Sequence, residues 1–211
     1  MQLGSFGRPW LLASAVMGLS ISLSAHATGD AAAGKKKFYT CYGCHGIENY
    51  RNAYPDYSVP KLRHQHAAYI AAALQEYKAG DRPHATMHAQ ASSLSDQDIE
   101  DIAAYLQGPE PIAPSTTLVG QMPPQVQTCA ACHGANGLGV AAPLTPKPPI
   151  LAGQHEDYLI QALDQYRSGQ RKNPIMMGMA SSLASEDDVR VVAHWFASQP
   201  SALATATPES R

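Results

Sequence analysis

The sequence predicts an all-α protein of two tandem units, each folded around one covalently attached group. Three observations carry that expectation. The pentapeptide Cys41-Tyr42-Gly43-Cys44-His45 returns as Cys129-Ala130-Ala131-Cys132-His133, and the two copies use all four cysteines of the 211-residue chain. The residues that follow each copy repeat as well. Apolar side chains recur at helical spacing, while runs of β-branched residues are scarce.

C-x-x-C-H is the attachment pattern of a c-type haem. Two thiols add across the vinyl groups of one porphyrin, and the next residue, His, is held beneath the iron as an axial ligand. Two disulfides in an exported chain would give no reason for a His after each pair. A shared zinc site would have to join motifs 88 residues apart. A thioredoxin-like redox pair needs a βαβ context that is absent. Two haem c groups, on Cys41 and Cys44 and on Cys129 and Cys132, are therefore expected.

The chain opens with an export signal over residues 1–27. Arg8 supplies the positive charge, Trp10 to Leu23 is apolar and small, and Ala25-His26-Ala27 gives the small-x-small cleavage pattern. That run is short and Ser/Gly-rich for a membrane span; the alternative is an uncleaved anchor. Export suits the motifs, because haem is joined to C-x-x-C-H outside the bacterial cytoplasmic membrane, and a periplasmic location follows. Charged residues make up 15% of the chain and its net charge is −2, a balance that gives nucleic acid no basic surface. The Lys35-Lys36-Lys37 run reads as a solvated helix face, with partner docking as the alternative.

The repeat sets the domain plan. Pro60 pairs with Pro149, Leu62 with Leu151, Gln65-His66 with Gln154-His155, Tyr69 with Tyr158, Tyr77 with Tyr166 and Arg82 with Arg171. The offset is 88 at the cysteines, 89 through this block and 90 in the last helix, which two single-residue insertions explain. The expected domains are 28–108 and 118–200, joined by a Pro/Ser/Thr-rich linker over 109–117. A loose tail covers 201–211. Each unit is small for an independent core, and a bound haem supplies the missing apolar bulk.

In the first unit a short helix is expected from Asp30 to Tyr39, leading into the motif. A second runs from His66 to Ala79, with Ile70, Leu74 and Tyr77 on one face and Gly80 ending it. Ser95 caps a third, with Asp98 at the capping-box position and Ile99, Ile102, Ala103 and Leu106 facing inward. The second unit repeats the last two helices through Leu159, Leu163 and Tyr166, then Ser185, Asp188, Val189, Val192 and Phe196. Met122-Pro123-Pro124 leaves its opening element short or irregular.

Each iron still needs a distal ligand. Met87 and Met176 stand at equivalent places, seven residues before Leu94 and Leu183, in the loop between the second and third helices. A thioether favours ferrous iron, so His/Met ligation raises the potential. The bland reading is a methionine filling a core gap; His88, Met177 and Met179 are the rival ligands. The remaining histidines, His64, His66, His84, His155 and His194, are expected on the surface or on helices. Pro60 and Pro149 are either loop prolines or carbonyl acceptors that orient the haem histidines.

The tandem motifs, with Leu94-Ser95-Asp96-Gln97-Asp98-Ile99 and Tyr166-Arg167-Ser168-Gly169-Gln170-Arg171, resemble the di-haem cytochrome c4 family across nearly the whole exported chain. The resemblance implies two class I cytochrome c domains related by a pseudo-twofold axis. Its ligand sets fall on His45 and Met87 and on His133 and Met176. It also implies a periplasmic electron carrier, not an enzyme. The donor would be a cytochrome bc complex or a dehydrogenase and the acceptor a haem–copper terminal oxidase, with peripheral membrane association. Two departures stand out: Asn49 to Asp56 lacks the glycine-rich stretch Gly134 to Gly139 of the second unit, and the Met122-Pro123-Pro124 segment shortens the helix before the second motif. The alternatives are a di-haem oxidoreductase acting on a peroxide or a sulfur compound, or the cytochrome subunit of a dehydrogenase.

Overall fold

A computed structural model describes residue 1 and residues 29–109, 117–139 and 147–208. The expected signal and most of the linker lie outside the described residues. Within them the chain is helical, and its only extended pairings are isolated bridges, Arg51 with Ser58 and Arg63 with Ala204.

In the first unit α1 (Ala31–Lys37) starts where the Asp30 carboxylate accepts the amides of Ala32 and Ala33, satisfying donors that a helix start leaves free. A 3₁₀ turn (Phe38–Cys41) carries the chain into α2 (Tyr42–His45), which ends at the motif histidine. α3 (Ala67–Ala79) stops at Gly80, whose φ of 80° is the left-handed conformation that closes helices. α4 (Ala85–Ser92) precedes α5 (Asp96–Gln107), which opens with the expected capping box between Ser95 and Asp98.

α1 lies close against α5. A Cβ on Gly34 would stand 1.9 Å from the Asp101 carbonyl oxygen, so this crossing needs a glycine. Lys37 pairs with Asp98 and Asp101 across the contact. That corrects the reading of the lysine run as a wholly solvated face. Phe38, Ile70, Ile99, Ile102, Ala103, Tyr105 and Leu106 form the core behind them.

The second unit repeats the plan without a counterpart of α1 among the described residues. Pro124–Val126 is a single 3₁₀ turn leading into α6 (Gln127–His133), in keeping with the short opening expected from the two prolines. α7 (Glu156–Arg167), α8 (Pro174–Ser181) and α9 (Glu186–Ser198) follow, and α9 carries the same capping box, from Ser185 to Asp188. Val126, Leu159, Val189, Val192, Trp195 and Phe196 fill its core.

Two expectations are corrected. The segments holding Met87 and Met176 are the short helices α4 and α8, not loops. Of the expected loose tail, residues 201–208 are described and are held: Leu203 and Ala206 are 5% and 0% exposed, and Ala206 sits in the core of the first unit.

The units meet through reciprocal contacts that follow the repeat. The Gln65 amide donates to the Ile150 carbonyl at 3.0 Å and accepts the Ile150 amide at 2.9 Å. Gln154 does the same to Lys61, donating at 3.1 Å and accepting at 3.0 Å. Gln65 and Gln154 are repeat partners, as are Lys61 and Ile150, so the contact has pseudo-twofold symmetry. Each glutamine satisfies two backbone groups that burial would otherwise orphan.

Candidate haem sites

A helix leaves its last carbonyls without partners of its own. His45 ends α2 and His133 ends α6; their exposures are 8% and 5%. Each Nδ1 lies 3.1 Å from a proline carbonyl, Pro60 for His45 and Pro149 for His133. A carbonyl only accepts, so each Nδ1 holds the proton, and the Nε2 lone pair is left for a metal. Of the two readings of these prolines, the orienting one is found. Burial pushes the His45 pKa down to about 4 against the opposing Pro60 contact, and burial lowers His133 as well. Both rings are therefore neutral at pH 7, the form that ligates.

In the first unit a cavity of about 190 Å³ is lined by Cys41, Cys44, His45 and Met87, with Ile70 and Leu74 of α3 among its apolar walls. Cys41 and Cys129 are partly buried, and burial raises both thiols' pKa values. Met87 is at the third position of α4, where its amide donates to the His84 Nδ1 at 3.2 Å. Met176 holds the same position in α8, its amide donating to the Asn173 side chain at 3.1 Å. His88 is exposed with its Nδ1 donating to the Tyr77 carbonyl at 2.8 Å, the Met177 methyl lies over Gly169, and Met179 is 39% exposed.

A buried guanidinium pair was not anticipated. Arg82 and Arg171 are 4% and 3% exposed. Arg82 donates to the Tyr158 hydroxyl at 2.6 Å, and Arg171 reaches the same oxygen at 3.4 Å. Among the described residues, Nη1 of Arg82 and Nε of Arg171 have no hydrogen-bond partner, and the Glu76 carboxylate lies 4.0 Å from Nη1. A buried cation short of acceptors is costly, and Arg82 lines the cavity. The signal was the shared Gly-x-Arg of the repeat, legible as a pairing but not as a buried charge. The donor set fits a haem on three grounds: two thiols and a neutral imidazole, a thioether lining the same cavity, and a buried guanidinium in that lining that could answer a haem carboxylate. His66, expected on the surface or on a helix, stands at the start of α3 and is buried, with its Nε2 3.2 Å from the Leu138 carbonyl across the unit boundary.

The Cytochrome c family model matches residues 31–108 and again 124–199. The chain is similar to cytochrome c4 of Pseudomonas aeruginosa, with 34% identity, covering 84% of this chain and 92% of that one. It is 31% identical to a protein of Stutzerimonas stutzeri named thiosulfate dehydrogenase electron acceptor, over 89% of this chain and 94% of the relative. Among solved structures, reduced recombinant cytochrome c4 from Pseudomonas stutzeri aligns with a TM-score of 0.60 and 31% identity, covering 82% of this chain and all of that one.

Proposed function

The chain belongs to the cytochrome c family, as a tandem member of its cytochrome c4 branch, and we propose that it passes single electrons between respiratory partners without bond-making of its own. It carries two covalently bound haem c groups, on Cys41 and Cys44 and on Cys129 and Cys132. His45 and Met87 are the axial pair of the first iron, and His133 and Met176 that of the second. The observation that carries this reading is the cavity in which His45 faces apolar walls shared with Met87. The same capped methionine and proline-held histidine recur in the second unit.

A haem held by these residues would supply one-electron exchange at its iron, and a His/Met pair would raise its potential. The chain's residues do the rest. Pro60 and Pro149 fix each ring's tautomer and aim. The capping side chains of His84 and Asn173 hold the methionine helices, and Arg82 and Arg171 would answer buried carboxylates. With both axial positions supplied by the protein, no coordination site remains for a peroxide or a sulfur substrate.

The proposed domains are 28–108 and 118–200, with residues 109–117 as linker and residues 1–27 as the leader that directs the chain to the periplasm. A cytochrome bc complex or a dehydrogenase is the proposed donor and a haem–copper oxidase the acceptor, with peripheral membrane association. A relative named for accepting electrons from thiosulfate dehydrogenase supports a second donor, a thiosulfate-oxidising enzyme. The test is reconstitution with purified partners. The reduced protein should be reoxidised by a haem–copper oxidase, and one of the two donors should re-reduce it. Peroxide or sulfur-compound turnover by the chain alone would contradict the carrier reading.

A further inference from the structure

The carbonyl of each motif histidine closes a helix and has no partner inside it. In the second unit that carbonyl is served locally: the Gly139 amide donates to the His133 oxygen at 2.8 Å. The turn that brings it there needs glycine. Gly137 and Gly139 sit at φ of 71° and 67°, and a Cβ on Gly139 would stand 2.2 Å from the Pro148 carbonyl oxygen. The first unit lacks this glycine stretch. Its segment 49–58 turns away, with Asn52 and Val59 bonding across a small bridge and Arg51 and Ser58 reaching Asp157 of the second unit.

The His45 carbonyl instead accepts the amide of Ala206 at 3.0 Å, from 161 residues along the chain. The route is built throughout. Leu203 packs with Leu138, Ile150 and Ala152 of the second unit. Ala204 then pairs with Arg63 in both directions, at 2.9 and 3.2 Å, and Ala206 enters the first unit's core at 0% exposure.

We infer that residues 203–206, which follow the last helix of the second unit, are a proximal-side strap of the first haem site, replacing in space the glycine turn that the first unit lacks. Ala206 is a positioning residue: its N–H holds the end of α2 and so the aim of the His45 ring. The inference rests on His45 being the first iron's ligand. The His45 carbonyl is then met only when the second unit's C-terminal segment is docked, whereas the His133 carbonyl is met from within its own unit.

The experiment uses the full di-haem protein. Ala206→Pro removes the N–H, Ala206→Gly keeps it, and a chain ending at Thr205 keeps the Arg63–Ala204 pairing but lacks residue 206. Amide hydrogen exchange and redox titration are read for each haem. In Ala206→Pro and in the shortened chain, exchange over residues 38–46 should quicken roughly tenfold, the expected scale for a buried carbonyl left unpaired. The first haem's potential should shift, while residues 127–139 and the second haem stay as in wild type. Ala206→Gly should keep the wild-type potential. If Ala206→Pro fails to accumulate, the shortened chain decides. Wild-type behaviour of the first haem in the chain ending at Thr205, or equal disturbance of both haems, would overturn the inference. Failure of the ligand reading shows separately, as a His45→Ala variant whose first haem keeps its wild-type spectrum and potential.

Discussion

At the residue scale the site rests on a few atoms. A proline carbonyl decides which imidazole nitrogen carries the proton, and the proposed methionine ligands sit in the first turn of capped helices. Removing the thioether takes away the ligand that favours ferrous iron, so Met87→Ala should lower the first haem's potential and open that iron to external ligands. Met176→Ala should do the same at the second haem. Met177→Ala and Met179→Ala should leave both potentials unchanged, because one methyl rests on Gly169 and the other residue is 39% exposed. A spectroelectrochemical titration of the four variants checks this, and a shift in Met179→Ala alone would move the ligand to Met179. The cysteines and histidines of the two motifs were legible because the attachment chemistry demands their types and spacing; the methionines were proposed from the repeat. Arg82 and Arg171 were not, since nothing in a Gly-x-Arg triplet says that its charge is buried.

At the scale of elements, α4 and α8 show where reading from sequence fell short. Eight-residue helices have no long apolar period to detect, and Gly178 weakens the second of them. Asn173-Pro174 was nonetheless a start signal, a capping residue followed by proline at the first helical position. Its partner was hidden, because His84 is an uncommon cap. Asn173→Ala should cost about 1 kcal/mol of stability and loosen Met176, read as a lower temperature for loss of the second haem's His/Met absorption band. Asn173→Ser should largely retain both. The long helices α3, α5, α7 and α9 followed from their apolar faces, from Gly80 and from the Ser95 and Ser185 boxes.

For the whole molecule, the repeat foretold two domains but not how they join. The glutamines and the C-terminal segment make contacts with no local signature, since their partners lie 85 to 161 residues away. Two interface groups make this contact sensitive to acid. Burial lowers the His66 pKa below 6.5, so the separated state takes up a proton first and stability falls as pH drops below that value. Asp157 is also held low: burial would raise it, but the Ser58 amide and hydroxyl and the Arg51 cation prevail over a starting value of 3.8. Its contribution is complete above that pH and is lost below it. The thermal midpoint should therefore decline in two stages on acidification, and His66→Gln should flatten the first. A single decline unaffected by His66→Gln would contradict this.

The central claim is that each iron receives both axial bonds from the protein, making this chain a carrier. The most direct measurement is a carbon monoxide difference spectrum of the dithionite-reduced di-haem protein. The account predicts no CO shift at either haem. A shift amounting to one haem of the two would contradict it, and would turn attention to small-molecule chemistry at that iron.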